Sequence, residues 1–355
     1  MENVLVRVPG KLYIAGEYAI LTKARSAILV AVDRYLELDI QTSSEGVFES
    51  DKGFLVFDLD LHFVGDDLSL VKQAIIYAYK FIDYHKVERK LVSIKALSEL
   101  DHKDGRKYGL GSSAAIMAGI LKGLILIHGL EIDNLELFKL VSLAQKEISA
   151  LSSGGDIASI INGGYIFYQR YDVEWFLNTD LSIQSIYEPW PKLKIELIKV
   201  DLHQLIVGWT GVSQSSETFI EQFNTFTANN PLYTLLYANK SYMYIRKLKE
   251  ALMKRDTKNI YKYIVKVQNL LEKLTKKTGI PIVSKAFVDM IKIGKKYRTP
   301  IKVSGAGFGD CGIGILPLNK TSTKTLIQNE WNEIGITPIE LKVSKGGIHA
   351  IKKER

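Results

Sequence analysis

One glycine- and serine-rich segment, followed at once by an apolar run, constrains the fold more than any other part of the sequence. It reads KYGLGSSAA (residues 107–115), and the run IMAGILKGLILI continues over residues 116–127. The glycines permit a tight turn, and the apolar run predicts a buried helix starting there. Backbone N–H groups at a helix start attract anions, so the segment is a candidate phosphate site. A start capped by Ser112 or Ser113 explains the same residues equally well.

Two further glycine clusters favour the phosphate interpretation. VPGKLYIAGEYAIL near the N-terminus places Lys11 just after a Pro-Gly turn, and KVSGAGFGDCG (residues 302–312) can bring backbone close to a ligand. Between them, SSGGDIAS places Asp156 at a predicted helix start, where a helix dipole alone would also favour an acid. The Walker A pattern is absent, and the dinucleotide pattern is met only in its looser, alanine-ended form.

Composition limits the classes of protein that need to be considered. The 355 residues are 46% hydrophobic, enough for one large domain or two that share a cleft. The net charge is +8, but basic and acidic residues are interleaved as on solvated helix faces, and no nucleic-acid-binding signature is present. We therefore predict no nucleic-acid partner, and nucleic-acid binding is kept as the weaker alternative.

The location of the protein follows from its apolar runs and its single cysteine. No apolar run reaches the ~20 residues of a membrane span, and the N-terminus lacks a signal-peptide core. One cysteine, Cys311, excludes an intrachain disulfide, and no neighbouring residue suggests a lowered thiol pKa. We predict a cytoplasmic protein without a membrane partner, in which Cys311 is a packed residue.

Periodicity predicts mixed strands and helices in both halves, which is an α+β architecture. The segment YEPWPKLK, with two prolines, suggests a division into domains 1–190 and 191–355. Strands are predicted at residues 4–14, 26–42, 91–97, 165–172 and 205–211, on both sides of the glycine loop in 301–318, and at TPIELKVS as the final strand. Helices are predicted at residues 66–84 and 134–150, and across 213–297 with breaks near 229–231 and 279–281.

The three glycine segments, taken in order, resemble the three motifs of the GHMP kinase superfamily. Within it, nearly the whole chain resembles the bacterial phosphomevalonate kinases. GEYAIL has Tyr18 where mevalonate kinases typically carry histidine, and the Asp310-Cys311 pair is similar to the phosphomevalonate kinase form of the third motif. The second motif lacks the proline that commonly opens it, and LSSGGD stands where relatives often have Asn-Gly-Ser before the Gly-Asp.

The resemblance implies a two-lobed fold, with mixed sheets and helices in both lobes and the active site in the cleft between them. It implies transfer of the ATP γ-phosphoryl group to the phosphate of 5-phosphomevalonate. ATP and phosphomevalonate would be the small-molecule partners and Mg²⁺ the cofactor, in a monomer or a homodimer.

The resemblance also implies roles for individual residues. Lys11 is expected to bridge the two reacting phosphates, and Asp156 to orient Lys11 or magnesium, or to act as a base if the acceptor is an alcohol. ATP binding is assigned to Lys107, Gly109, Leu110, Gly111, Ser112, Ser113 and Ala114, with Ser113 contacting magnesium. Substrate binding is assigned to Lys11, Glu17, Tyr18, Ser153, Ser215, Ser216, Ser304, Gly305, Ala306 and Gly307. For the two serines of SQSS, helix capping is the alternative.

Overall fold

The computed structural model describes residues 2–23, 25–149, 152–212 and 216–353. Its strands are β1 Asn3–Ala15, β2 Ser26–Thr42, β3 Gly46–Ser50, β4 Gly53–Phe57, β5 Phe63–Gly65, β6 Val92–Ser98, β7 Tyr165–Gln169, β8 Lys194–Ile198, β9 His203–Trp209, β10 Ile301–Val303, β11 Cys311–Pro317, β12 Thr337–Pro338 and β13 His349–Lys352. Its α-helices are α1 Ser69–Tyr84, α2 Ser112–Ile127, α3 Asn134–Lys146, α4 Gly155–Asn162, α5 Val173–Asn178, α6 Ser216–Asn229, α7 Pro231–Met253, α8 Thr257–Thr278, α9 Lys285–Lys296 and α10 Thr321–Glu333. None of these helices is long and apolar enough to cross a membrane.

The described strands form two separate sheets, each with its own helices. The larger sheet has the order β13-β1-β2-β6-β3-β4-β5, and β7 and β8 extend it from β2. The smaller sheet has the order β10-β11-β9-β12, and helices α7 to α10 belong to the same part of the chain. The predicted two-lobed α+β fold is thus confirmed.

Helix α2 lies close against the larger sheet because two of its residues are glycines. A Cβ on Gly119 would lie 2.6 Å from a methyl carbon of Leu38, and one on Gly123 would lie 2.8 Å from Val6. The side chains of Leu38 and Val6 are fully buried. The spacing of four residues puts both glycines on the same face of the helix, so its backbone can approach β1 and β2. This packing holds the start of α2 in a fixed place beside β1.

The helical half of the chain follows the sequence prediction, with one additional break. The predicted breaks near 229–231 and 279–281 are confirmed. A third break separates α7 from α8, where the Asp256 side chain accepts a hydrogen bond from Asn259 N and caps α8. The domain division at 190 remains a prediction, and β8 and β13 join the larger sheet from beyond it.

The prediction of TPIELKVS as the final strand is wrong. Only Thr337–Pro338 is a strand there, paired with β9, and the last strand of the described chain is β13. The segment leaves the smaller sheet after Pro338 and reaches the larger one at Val343, which bridges Val32 of β2. The alternating pattern of the segment is typical of a strand. Because the segment crosses between two sheets, however, it cannot pair along its length with a strand of either sheet.

Candidate active site

The second glycine segment forms an uncapped helix start. Gly111 is the N-cap residue of α2 with φ 89°, and no side chain caps the helix by a hydrogen bond. Gly109 also has a positive φ, of 81°. Ser112 and Ser113 are the first two residues of the helix, and capping by either is therefore not observed. The helix N-terminus keeps its positive end and its N–H groups available for an anion.

A cavity of about 230 Å³ opens beside this helix start. Lys107, Ser112 and Ser113 line it, together with apolar side chains that include Leu36, Phe48 and Ile116. Charged side chains of Asp51, Lys52 and Asp67 also line it, and apolar walls with a few polar groups are typical of a site for a small organic ligand. Of the other predicted ATP-binding residues, Leu110 and Ala114 have buried side chains, so only their backbone could contact a ligand.

Lys11 lies at the centre of the three motifs. Its backbone N donates to Leu110 O at 2.9 Å, its Nζ donates to Gly109 O at 2.9 Å, and its Nζ lies 3.4 Å from Asp156 Oδ2. The pairing of β1 with β2 shifts register between Pro9 and Gly10, just before Lys11. Such irregularities commonly re-aim side chains at functional sites. The side chain is only 7% exposed, so its charge acts in a largely desolvated place.

Asp156 comes from a second glycine-capped helix. Gly154 is the N-cap of α4 with φ 71°, no side chain caps this helix, and Asp156 stands in its first turn. The predicted helix start at this position is confirmed. The Asp156 side chain is 37% exposed and its carboxylate faces Lys11. An acid that served only to interact favourably with the helix dipole would not need this cationic partner. The starts of α2 and α4 therefore meet at the Lys11 ammonium.

Ser153 precedes this helix and contacts the first motif. Its Oγ lies 3.1 Å from the Tyr13 hydroxyl and accepts a hydrogen bond from Gly155 N. Burial keeps the pKa of Tyr13 well above its usual value, so the phenol stays protonated. The side chain of Ser153 is partly exposed and lies one turn from Asp156, which places it close to the predicted substrate region.

The third glycine loop packs directly on the first motif. Ser304 Oγ accepts a hydrogen bond from Tyr13 N at 2.8 Å, and the Tyr18 hydroxyl donates to Ala306 O at 2.7 Å. Ala306 N donates to Asp310 Oδ2 at 2.8 Å. Gly305 and Gly307 have φ values of 89° and 92°, which the tight loop requires. These polar groups of Ser304 and Ala306, predicted to bind substrate, are thus engaged within the protein.

Glu17 and Tyr18 also have internal partners. The Glu17 carboxylate pairs with Lys302 Nζ, and the two side chains are 2% and 1% exposed. Tyr18 is buried and holds the third loop. The sequence predicts that both contact substrate, but the structure places both in contacts that join the first motif to the smaller lobe. Glu17 is buried, and its partner Lys302 lies 285 residues away in sequence, so this pair could be found only from the fold.

The serines of SQSS cannot be placed in the same way. Ser215 lies outside the described residues. Helix α6 begins at Ser216, whose side chain is likewise outside the description. Their predicted contact with substrate therefore stays a prediction, and so does the capping alternative.

Two residues at the end of the third loop differ in their surroundings. Burial raises the pKa of Asp310 to about 6, although the nearby Lys11 charge opposes the shift. Cys311 is buried, its Sγ donates to Tyr108 O at 3.2 Å, and burial raises its pKa. Cys311 is therefore a packed residue, as predicted. Asp310 was not among the predicted site residues, although its position inside a glycine loop was a signal for it.

Replacing Gly111 with alanine is expected to lower kcat/KM about tenfold. The new Cβ would lie 3.0 Å from Lys11 Cε, so the lysine must shift, and small misplacements of catalytic groups are costly. Gly129→Ala is a matched control at the other end of α2, with φ 77° and no atom within 4 Å. Both variants should lose about 1–2 kcal/mol of unfolding free energy to backbone strain. Equal kcat/KM values in the two variants would contradict the contact.

The comparisons with known proteins agree with this geometry. Residues 69–164 match the family described as GHMP kinases N terminal domain. The predicted resemblance to the GHMP kinase superfamily is thus confirmed, with the family match carried by residues 69–164.

Individual relatives narrow the comparison further. A phosphomevalonate kinase of Streptomyces sp. (strain CL190) is 27% identical over 98% of this chain and 99% of its own length. The crystal structure of the Lin0012 protein from Listeria innocua has a TM-score of 0.92 at 29% identity, covering 99% of this chain and all of that one. Streptococcus pneumoniae phosphomevalonate kinase in complex with phosphomevalonate and AMPPNP has the same fold, with a TM-score of 0.81 at 24% identity over 96% of this chain and 99% of that one. Mevalonate kinases also match, at lower identity than the Streptomyces enzyme.

Proposed function

We propose that the chain is a phosphomevalonate kinase, which transfers the ATP γ-phosphoryl group to (R)-5-phosphomevalonate and releases ADP and (R)-5-diphosphomevalonate. The observation that carries the proposal is the position of Lys11, whose ammonium lies where the uncapped starts of α2 and α4 meet. The full-length similarity to the Streptomyces enzyme supports the choice of acceptor. The reaction belongs to the mevalonate route to isopentenyl diphosphate.

The chemistry needs positive charge more than it needs a base. A phosphate monoester has a second pKa of ~6, so the acceptor is mostly dianionic at neutral pH and already nucleophilic. Bringing two such anions to ~4 Å costs ~1 kcal/mol per pair of unit charges in water and ~4 kcal/mol at an effective dielectric constant of ~20. Phosphoryl transfer is catalysed mainly by positioning and by neutralising this charge. The buried Lys11 and the two helix starts supply both the positioning of the phosphates and the neutralisation of their charge.

Each group has a distinct role in this proposal. The backbone from Gly109 to Ser113 and the side chain of Lys107 bind the ATP phosphates, while the apolar cavity beside them takes the base. Lys11 bridges the acceptor phosphate and the migrating group. Asp156 orients Lys11 through their ion pair, and Ser153 faces the mevalonate portion. The cytoplasmic location and the state as monomer or homodimer remain predictions.

The donor atoms present fit a magnesium ion brought by the nucleotide. Mg²⁺ prefers oxygen ligands and is usually held by one or two protein groups together with substrate phosphates. The Asp156 carboxylate is partly exposed and the Ser113 hydroxyl does not cap its helix, so both are open to such an ion. When bound, it would neutralise charge on the β- and γ-phosphates. A separate exposed group, Asp58, Asp60 and His62, lies in the β4–β5 connection, and none of the three lines the cavity beside α2.

The proposal predicts that Asp156→Asn lowers kcat about 10–100-fold, because an orienting partner of Lys11 is lost. The pH dependence of kcat/KM should keep the shape of the wild type, since the acceptor carries no proton that must be removed. Steady-state rates measured from pH 5.5 to 9 check both points. Loss of one ionisation from the profile of the variant would instead assign Asp156 the role of a general base.

The main alternative is a mevalonate kinase, which the weaker relatives support. The two functions differ in the acceptor, an alcohol in one and a phosphate in the other. Purified protein with ATP and magnesium is offered (R)-mevalonate and (R)-5-phosphomevalonate in separate reactions, and ADP release is followed. The proposal expects kcat/KM to be higher for phosphomevalonate by about 100-fold or more, because sites built for a charged group reject analogues that lack it. Turnover of mevalonate alone would overturn it.

A further inference from the structure

The Asp310 carboxylate lies where the second and third glycine loops meet. Its Oδ2 accepts a hydrogen bond from Ala306 N at 2.8 Å, and the Asp310 N–H donates to Gly307 O of the same loop. A Cβ added to Gly109 would lie 2.7 Å from Asp310 Oδ1, and one added to Gly305 would lie closer still to Oδ2. The carboxylate is therefore enclosed between two glycines, each of which leaves room for it only because it has no side chain.

Gly109 also carries the carbonyl that holds Lys11. Lys11 Nζ donates to Gly109 O at 2.9 Å, while the Asp310 carboxylate fills the space that a side chain on the same glycine would occupy. If the carboxylate were removed, Gly109 could move into the vacated space, and its carbonyl would move with it. The ammonium would then lose its fixed position, although the salt bridge to Asp156 would remain.

Charged and titratable groups from several elements face Asp310. Lys11 of β1 attracts its charge, and Asp156 of α4 repels it. Tyr18 and Cys311 also lie within its field, and both stay protonated because their pKa values are raised by burial. Lys11 attracts this carboxylate through its charge, while its ammonium donates its hydrogen bond to Gly109 O. A neutral side chain of the same shape, with one oxygen acceptor, can occupy the same place.

Resting on the phosphoryl transfer proposed above, we propose that Asp310 is a positioning residue, whose carboxylate holds the third glycine loop against Gly109 and thereby fixes the Lys11 ammonium. Asp310 acts through Lys11 and not on the substrates. Its contribution comes from its shape and its acceptor oxygens, and it neither transfers a proton to or from the substrates nor binds the metal.

The first test compares two substitutions at this position. Asp310→Ala removes the acceptor and should lower kcat about 100-fold with little change in the KM for ATP, since misplacing a catalytic group acts mainly on the transition state. Asp310→Asn keeps the shape and one acceptor, and should stay within about tenfold of the wild type. Asp289→Asn, on the exposed face of α9, is the control and should match the wild type. Equal losses in the Asn and Ala variants would overturn the proposal.

The second test is a double-mutant cycle with Lys11. If Asp310 acts through Lys11, adding Asp310→Ala to Lys11→Ala should change the single-turnover rate by less than about twofold, which is the scatter found for independent sites. Losses that multiply would overturn the proposal. Circular dichroism melting verifies that each variant is folded, and Asp310→Ser enters the cycle if the alanine variant is not. The cycle uses whichever acceptor the wild type phosphorylates, so a wrong acceptor in the proposed function would not be mistaken for failure here.

Discussion

The Lys11→Ala variant is expected to lose about 100–1000-fold in kcat/KM. The lysine is buried, donates to Gly109 O and pairs with Asp156, so its charge is held in a desolvated place beside two helix starts. Removing a preorganised group that stabilises developing charge has effects of this size. The kinetics should be measured with saturating magnesium and with both substrates varied.

A matched control separates this effect from the loss of any buried lysine. Lys122 of α2 is largely buried and its Nζ donates to Ile132 O at 2.8 Å, yet it lies in a different part of the lobe. Lys122→Ala should leave kcat/KM within about threefold of the wild type, and its effect should appear in stability, as for most substitutions away from a site. A loss of less than tenfold in Lys11→Ala, which is about 1.4 kcal/mol, would rule out Lys11 as the bridging cation.

The Lys302→Met variant is expected to lose about 3–5 kcal/mol of unfolding free energy. Lys302 and Glu17 are almost completely buried, and the pair joins β10 of the smaller lobe to the first motif. Burial lowers the pKa of Lys302 and Glu17 opposes the shift. Removing one partner leaves the other as an uncompensated buried charge, which costs about this amount. Equilibrium urea unfolding followed by circular dichroism at pH 7.5 measures the loss.

Two further variants separate this interpretation from simple loss of packing. In the double variant Glu17→Gln/Lys302→Met no buried charge is left unpaired, and stability should recover by at least about 1–2 kcal/mol relative to Lys302→Met alone. The exposed pair Asp289–Lys292 is the control, and Lys292→Met should cost no more than about 1 kcal/mol. A loss below 1 kcal/mol in Lys302→Met, or no recovery in the double variant, would contradict a charged pair.

The local features of the site could be predicted from sequence because each depends on a few neighbouring residues. Gly111 and Gly154 both precede helices, and both adopt the positive φ that glycine permits at a helix start. Asp156 could be placed in a first turn for the same reason. The order of the three glycine segments was enough to predict the cleft and its family.

The contacts that organise the site could not be predicted, because their partners are distant in sequence. Glu17 is predicted from sequence to bind substrate, and only the fold places Lys302 against it. Asp310 lies in a loop that the sequence predicts to approach a ligand through its backbone, but its carboxylate is enclosed by Gly109 and Gly305. The final strand was misplaced for a similar reason. The alternating pattern of TPIELKVS does not show that this segment passes from one sheet to the other.

The central claim is that a phosphate, and not an alcohol, accepts the γ-phosphoryl group. Phosphorus NMR of the reaction mixture tests it directly, because the bond that forms identifies the acceptor. With ATP, magnesium and (R)-5-phosphomevalonate, the account predicts that the monoester resonance is replaced by the two coupled resonances of a diphosphate ester, together with those of ADP. An unchanged monoester resonance, alongside formation of a new phosphate monoester from (R)-mevalonate, would contradict it.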